Sequence, residues 1–145
     1  MLTEADGGPV AVVVKGANVH DSLLLQDALA AVIVKPPNPV AGPGNPDPVT
    51  QHLCLDKAFD GAPSEATAKV FGYEPHIRRI GEEKKDAKGR KRHKARRWVV
   101  ERTIGWLNRC RGILIRYEKK AENYLAVVQL ACALLWYRRL HRLTT

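Results

Sequence analysis

The chain has 145 residues, 45% of them hydrophobic and 27% charged, and a net charge of +9. That is enough for one domain, or a large part of one, to bury a core without disulfides, and it excludes low-complexity and disulfide-stapled classes. Cys54, Cys110 and Cys132 form no CxxC pair and no zinc spacing, so they read as reduced, buried thiols of a cytosolic protein.

The N-terminus, Met1 to Gly8, is acidic and carries no secretory signal. Pro9 to Lys15, PVAVVVK, is a β-branched run bounded by glycines and is expected to be a strand buried on both faces. A turn at Asp6-Gly7-Gly8 implies a further strand before it. Asp21-Ser22 opens a helical pattern of Leu24, Leu25, Ala28, Leu29 and Val32, with either residue able to cap the first turn.

Residues 36–48 hold six prolines and two glycines and are expected to form an exposed loop. Gln51 to Asp56, QHLCLD, reads as a short strand ending on an acid, with His52 and, further on, His76 taken as structural. Gly61 to Ser64 starts a helix that Gly72 ends, with Pro63 suited to its first turn and Asp60 able to cap it. Tyr73 to Ile80 is another strand candidate. Residues 81–97 form a basic segment.

Arg96 to Arg111 is expected to be a helix with Val99, Thr103, Trp106 and Cys110 on its apolar face. Ala121 to Leu140 is a second, more apolar helix whose cationic end suits its dipole. Its apolar run, Tyr124 to Tyr137, is 14 residues with Gln129 inside it, shorter than the roughly 20 a membrane span needs. Trp98, Trp106 and Trp136 are read as packing residues. Strands alternating with helices give an α/β layer architecture.

Charge is unevenly spread. Residues 1–60 carry 3 Lys/Arg against 7 Asp/Glu, whereas residues 78–120 carry 17 against 5. Such a concentration points to a polyanion, with nucleic acid the default. Lys84 to Arg97, KKDAKGRKRHKARR, has nine Lys/Arg, one acid and no aromatic residue. Contact with a phosphate backbone is expected rather than base stacking.

Two acids stand out for chemistry. Asp56 falls at the carboxyl end of a strand, where α/β folds place their sites. Glu101 lies on a helix, off the apolar stripe. Two such carboxylates can converge on hard Mg2+ or Mn2+, which take oxygen ligands. The bland readings are a turn cap for Asp56 and an exposed ion pair with Arg97 for Glu101. The pattern leaves both readings open.

Three stretches, LCLDKAFDG (Leu53 to Gly61), RRWVVERTIGWLNRCRGILIRYEK (Arg96 to Lys119) and ANVHDSLLL (Ala17 to Leu25), resemble insertion-sequence transposases of the DDE group, especially the fourth and fifth insertion-sequence families. The resemblance implies an RNase H-like fold whose second Asp is Asp56 and whose Glu is Glu101, holding Mg2+ or Mn2+. The Glu-bearing segment of that family is similar to this one in part: Arg97 and Glu101 match. Lys94 stands where the family has Tyr, and Asn108, with Arg109 beside it, stands where it has Lys.

The family's first Asp should lie on a strand before the Asp6-Gly7-Gly8 turn. Asp6 and Asp21 are poorly placed for that role, so the chain is expected to be an N-terminally truncated catalytic domain. The resemblance implies metal-dependent cleavage and transfer of DNA strands. A fragment inactive alone is expected, with a non-catalytic DNA-binding or inhibitory remnant as the alternative. Expected DNA contacts are Lys91, Arg92, Lys94, Arg96, Arg97, Arg102 and Arg109. Expected partners are transposon ends and target DNA, a second copy or a full-length transposase, and no membrane. The expected location is the bacterial cytoplasm, on the nucleoid when DNA-bound.

Overall fold

A computed structural model of the chain describes residues 1–34, 50–77 and 97–144. The proline-rich stretch and the basic segment up to Arg96 lie outside the described residues. The chain is mixed α/β and divides into two compact units, one of Met1–His20 with Arg96–Thr145 and one of Asp21–Ala95.

In the first unit, β1 (Leu2–Thr3) pairs antiparallel with β2 (Pro9–Ala11). The turn expected at Asp6-Gly7-Gly8 is present, and the five residues before it suffice for a two-residue strand. Gly7 sits at φ +94, a left-handed conformation that glycine adopts without the Cβ penalty. The strand after the turn is three residues rather than seven. Pro9 and Ala11 are buried and Val10 is exposed, so one face is covered instead of both.

The other elements of this unit are α3 (Arg97–Leu107), α4 (Arg111–Leu114) and α5 (Ala121–Thr144), numbered after the two helices of the second unit. α3 buries Val99, Thr103 and Leu107, spaced by four. The expected stripe is thus shifted: Trp106 is 36% exposed and Cys110 lies in the turn beyond the helix. The helix stops early because its last carbonyls are taken by tight bonds, Arg109 N to Trp106 O and Cys110 N to Leu107 O. Cys110 then has extended dihedrals and leads into α4, a short helix.

Leu107, Ile113, Val128, Ala131 and Cys132 form the core, edged by Met1, Val12, Tyr124, Val127 and Leu135. Of the three thiols only Cys132 is buried, and that burial pushes it up from its ordinary value. No helix among the described residues is long and apolar enough to cross a membrane.

The hairpin is held by side chains far along the chain. Glu4 accepts from the amides of Asp6 and Gly8 at 2.9 and 2.7 Å and pairs with Arg139. Trp136 Nε1 donates to Pro9 O at 2.8 Å. A Cβ on Gly8 would lie 2.3 Å from Trp136 Cζ2, so only glycine permits this approach. The fully buried Thr103 places Oγ1 2.7 Å from Gly7 O and 3.0 Å from Val99 O, offering one proton to two carbonyls.

Burial alone raises the pKa of Glu4, but the two amides and Arg139 outweigh it and hold the carboxyl below its ordinary 4.5. Its contribution to stability is therefore complete above the unfolded value and is lost as pH falls through the lower, folded one. Thermal melts between about pH 6 and about pH 3 should show Glu4→Gln losing less stability than the parent chain. An equal loss in both would contradict this.

In the second unit, a 3-10 turn at Asp21–Leu23 enters α1 (Leu24–Ala30), which buries Leu25, Ala28 and Leu29. The residue at the N-cap position of α1 is Leu23, which has no side-chain capping bond. β3 (Gln51–Leu55), a 3-10 turn (Lys57–Phe59), α2 (Ala62–Val70) and β4 (Tyr73–Ile77) come next. β3 and β4 pair in parallel, so the segment is a β-α-β unit. Pro63 lies in the first turn of α2, and Gly72 comes after the helix at φ +82.

Candidate metal centre

Asp56 directly succeeds β3, at the carboxyl end of the parallel pair. Its backbone turns with φ −76 and ψ 166 and caps the 3-10 turn: Asp56 Oδ1 accepts from Lys57 N at 2.6 Å. The cap reading and the site reading are compatible. An ionised carboxylate offers about four lone-pair sites, and the cap bond fixes its direction. Asp60 closes the same 3-10 turn through its amide, which donates to Lys57 O at 3.0 Å, and the N-cap of α2 is Gly61.

Glu101 is exposed on α3, two residues from each of the buried Val99 and Thr103. At 100° per residue it points away from the stripe that anchors the helix. It is thus an exposed carboxylate on a helix whose opposite face buries Thr103 and Leu107. Asp56 belongs to the second unit and Glu101 to the first. Both are hard oxygen donors of the kind Mg2+ takes. Among the described residues, no group of three His, Cys, Asp or Glu side chains could hold a metal ion. Each carboxylate, taken by itself, has the donor chemistry of a divalent-ion ligand.

The cationic residues separate into groups. Lys91, Arg92, Lys94 and Arg96 lie outside the described residues, and Arg97 opens α3. Arg109 is exposed in the turn after α3. Arg102 has intramolecular partners. Its guanidinium carbon lies 4.6 Å from the ring centre of Trp98 and 4.9 Å from that of Trp106. Its NH2 group donates to Asp6 O at 2.7 Å, and its Nε is buried without a partner. Trp98 and Trp106, 53% and 36% exposed, therefore sandwich a cation instead of filling the core. The spacing Trp98, Arg102, Trp106, four residues apart on one helix, is the sequence signal for this stack.

These features are those of an α/β protein with acidic side chains at a strand end and on a helix. The transposase DDE domain family matches residues 1–136, and the chain belongs to that family. It is also 31% identical over 143 residues to a protein of Burkholderia cepacia described as the transposase for insertion sequence element IS402. The match covers 98% of this chain and 63% of that relative, so the chain spans less than two thirds of the relative's length. No solved structure matches the chain.

Proposed function

We propose that the chain acts in DNA transposition, as part of an RNase H-like catalytic domain that cuts and joins DNA strands with a divalent metal. The observation that carries this reading is the position of Asp56. It stands at the carboxyl end of a parallel strand, in a β-α-β unit, within the stretch that matches the transposase DDE domain. Asp56 and Glu101 each supply one metal-binding carboxylate. A third carboxylate, in the role of the first Asp of the family's triad, is required to complete the metal-binding set.

Bound Mg2+ or Mn2+ would stabilise the attacking and leaving oxygens of an in-line phosphodiester displacement. The chain's own residues orient and screen. Lys57 N holds Asp56 in one rotamer. Lys91, Arg92, Lys94, Arg96, Arg97 and Arg109 neutralise DNA phosphates leading to the α3 helix. Arg102 acts by positioning, tying α3 to the hairpin through Asp6. Transposon ends and target DNA are the substrates, and a second copy or an intact transposase is the protein partner. The bacterial cytoplasm, at the nucleoid, is the place of action.

The test joins this chain to an RNase H-like first strand that carries an Asp and measures Mg2+-dependent nicking of a DNA duplex. Nicking should fall roughly 10^3-fold in Asp56→Ala and in Glu101→Ala, the loss of several kcal/mol of metal-borne stabilisation. Unchanged nicking in either variant would remove that residue from the site.

A further inference from the structure

We propose that His52 and His76 form a binding site for a borderline transition-metal ion of the Zn2+ class, on the open face of the β3–β4 sheet. It is separate in chemistry from the carboxylates that would take Mg2+. Along β3 and β4, residues 52, 54, 74 and 76 are exposed, while 53, 55, 73, 75 and 77 are partly or fully covered. This period-two alternation puts both imidazoles on one solvent-facing surface.

The pair is already in contact. His52 Nδ1 lies 2.7 Å from His76 Nε2, with ring centres 4.8 Å apart and planes at 44°. That bond places one hydrogen between the facing nitrogens; on metal binding it passes to the far nitrogen of its own ring or to solvent, so that both facing nitrogens present lone pairs to the ion. Zn–N bonds of about 2.0–2.1 Å at a tetrahedral angle put two ligating nitrogens roughly 3.3 Å apart. The rings need to open by only about 0.6 Å, a small torsional change for exposed side chains.

The frame beneath them is fixed by a continuous parallel register, from Gln51 opposite Tyr73 to Leu55 opposite Ile77. In that register His52 is opposite Glu74 and Cys54 is opposite His76. These neighbours do not complete a three-donor cluster. Two imidazoles therefore bind the ion, and water fills the remaining positions. Imidazole suits Zn2+, Ni2+ and Cu2+, whereas Mg2+ requires oxygen ligands.

The experiment tracks the side-chain ring nitrogens of the five histidines in the 15N-labelled full chain while Zn2+ is added. The His52 and His76 signals should shift together and saturate at one ion per chain, and Mg2+ should leave them in place. His52→Gln and His76→Gln should each weaken Zn2+ binding about tenfold or more, while Cys54→Ser changes it by less than about twofold. Circular dichroism on each variant reports that the fold is retained. Absence of a saturable Zn2+ shift in the parent chain would overturn the proposal, as would parental affinity in the folded double variant.

Discussion

Replacing Lys91, Arg92, Lys94 and Arg96 together by Ala should lower affinity for duplex DNA about a thousandfold near 0.1 M salt. Each phosphate neutralised adds about 0.9 to the slope of log affinity against log salt, so four contacts account for a slope change of about 3.6. The four residues lie in a stretch with nine Lys/Arg and one acid, directly ahead of the helix that bears Glu101. A solvated loop without ordered DNA contact would give a much smaller change in slope, and that result would remove the segment from the interface. Fluorescence anisotropy across a salt series measures both quantities. Because no aromatic residue interleaves the basic ones, affinity should fall similarly on unrelated DNA sequences.

Trp136→Ala should destabilise the first unit by about 3 kcal/mol, the scale of an aromatic truncation. Trp136 donates to Pro9 O, meets Gly8, and has the Arg139 guanidinium 5.3 Å from its ring centre. Its loss removes the wall against which the hairpin packs and leaves the Arg139–Glu4 pair without its support. Urea unfolding measures the cost. Native-state hydrogen exchange should show the amides of Asp6 and Gly8, both bonded to Glu4, losing most of their protection. A change of less than about 1 kcal/mol with protection intact would mean that Thr103 and Arg102 alone hold the hairpin.

Local signals carried much of the fold. The Gly7-Gly8 turn, the Pro63 helix start, the strand at Gln51–Leu55 and the long C-terminal helix were all legible from turn chemistry and periodicity. So was the placement of Asp56 at a strand end and of Glu101 off the buried face. Long-range interactions were not legible. The ties from Arg102, Trp136 and Arg139 to the hairpin bridge 96, 127 and 135 residues, and no local pattern encodes such pairings.

The misread stripe on α3 has one physical cause. A stripe at spacings of three and four can be drawn through Trp106 or through Leu107. A tryptophan stacked on Arg102 satisfies its ring without entering the core, so Leu107 goes inside instead. Similarly, Cys54 and Cys110 are exposed because one lies on the open side of a strand and the other in a turn. Apolar character alone did not distinguish them from Cys132. The same strand alternation brought His52 and His76 together, but their contact required the parallel register, which the sequence does not state.

The proposed function has this chain contribute two of the three carboxylates of a metal-dependent transposase site. It is tested most directly by incubating the purified 145-residue chain with a supercoiled DNA plasmid in Mg2+ and in Mn2+ and scoring nicked product. The expected result is salt-sensitive binding of the DNA with no nicking above a metal-free control. Robust nicking by the chain alone, abolished in both Asp56→Ala and Glu101→Ala, would contradict it, because the site would then be complete without a carboxylate from outside.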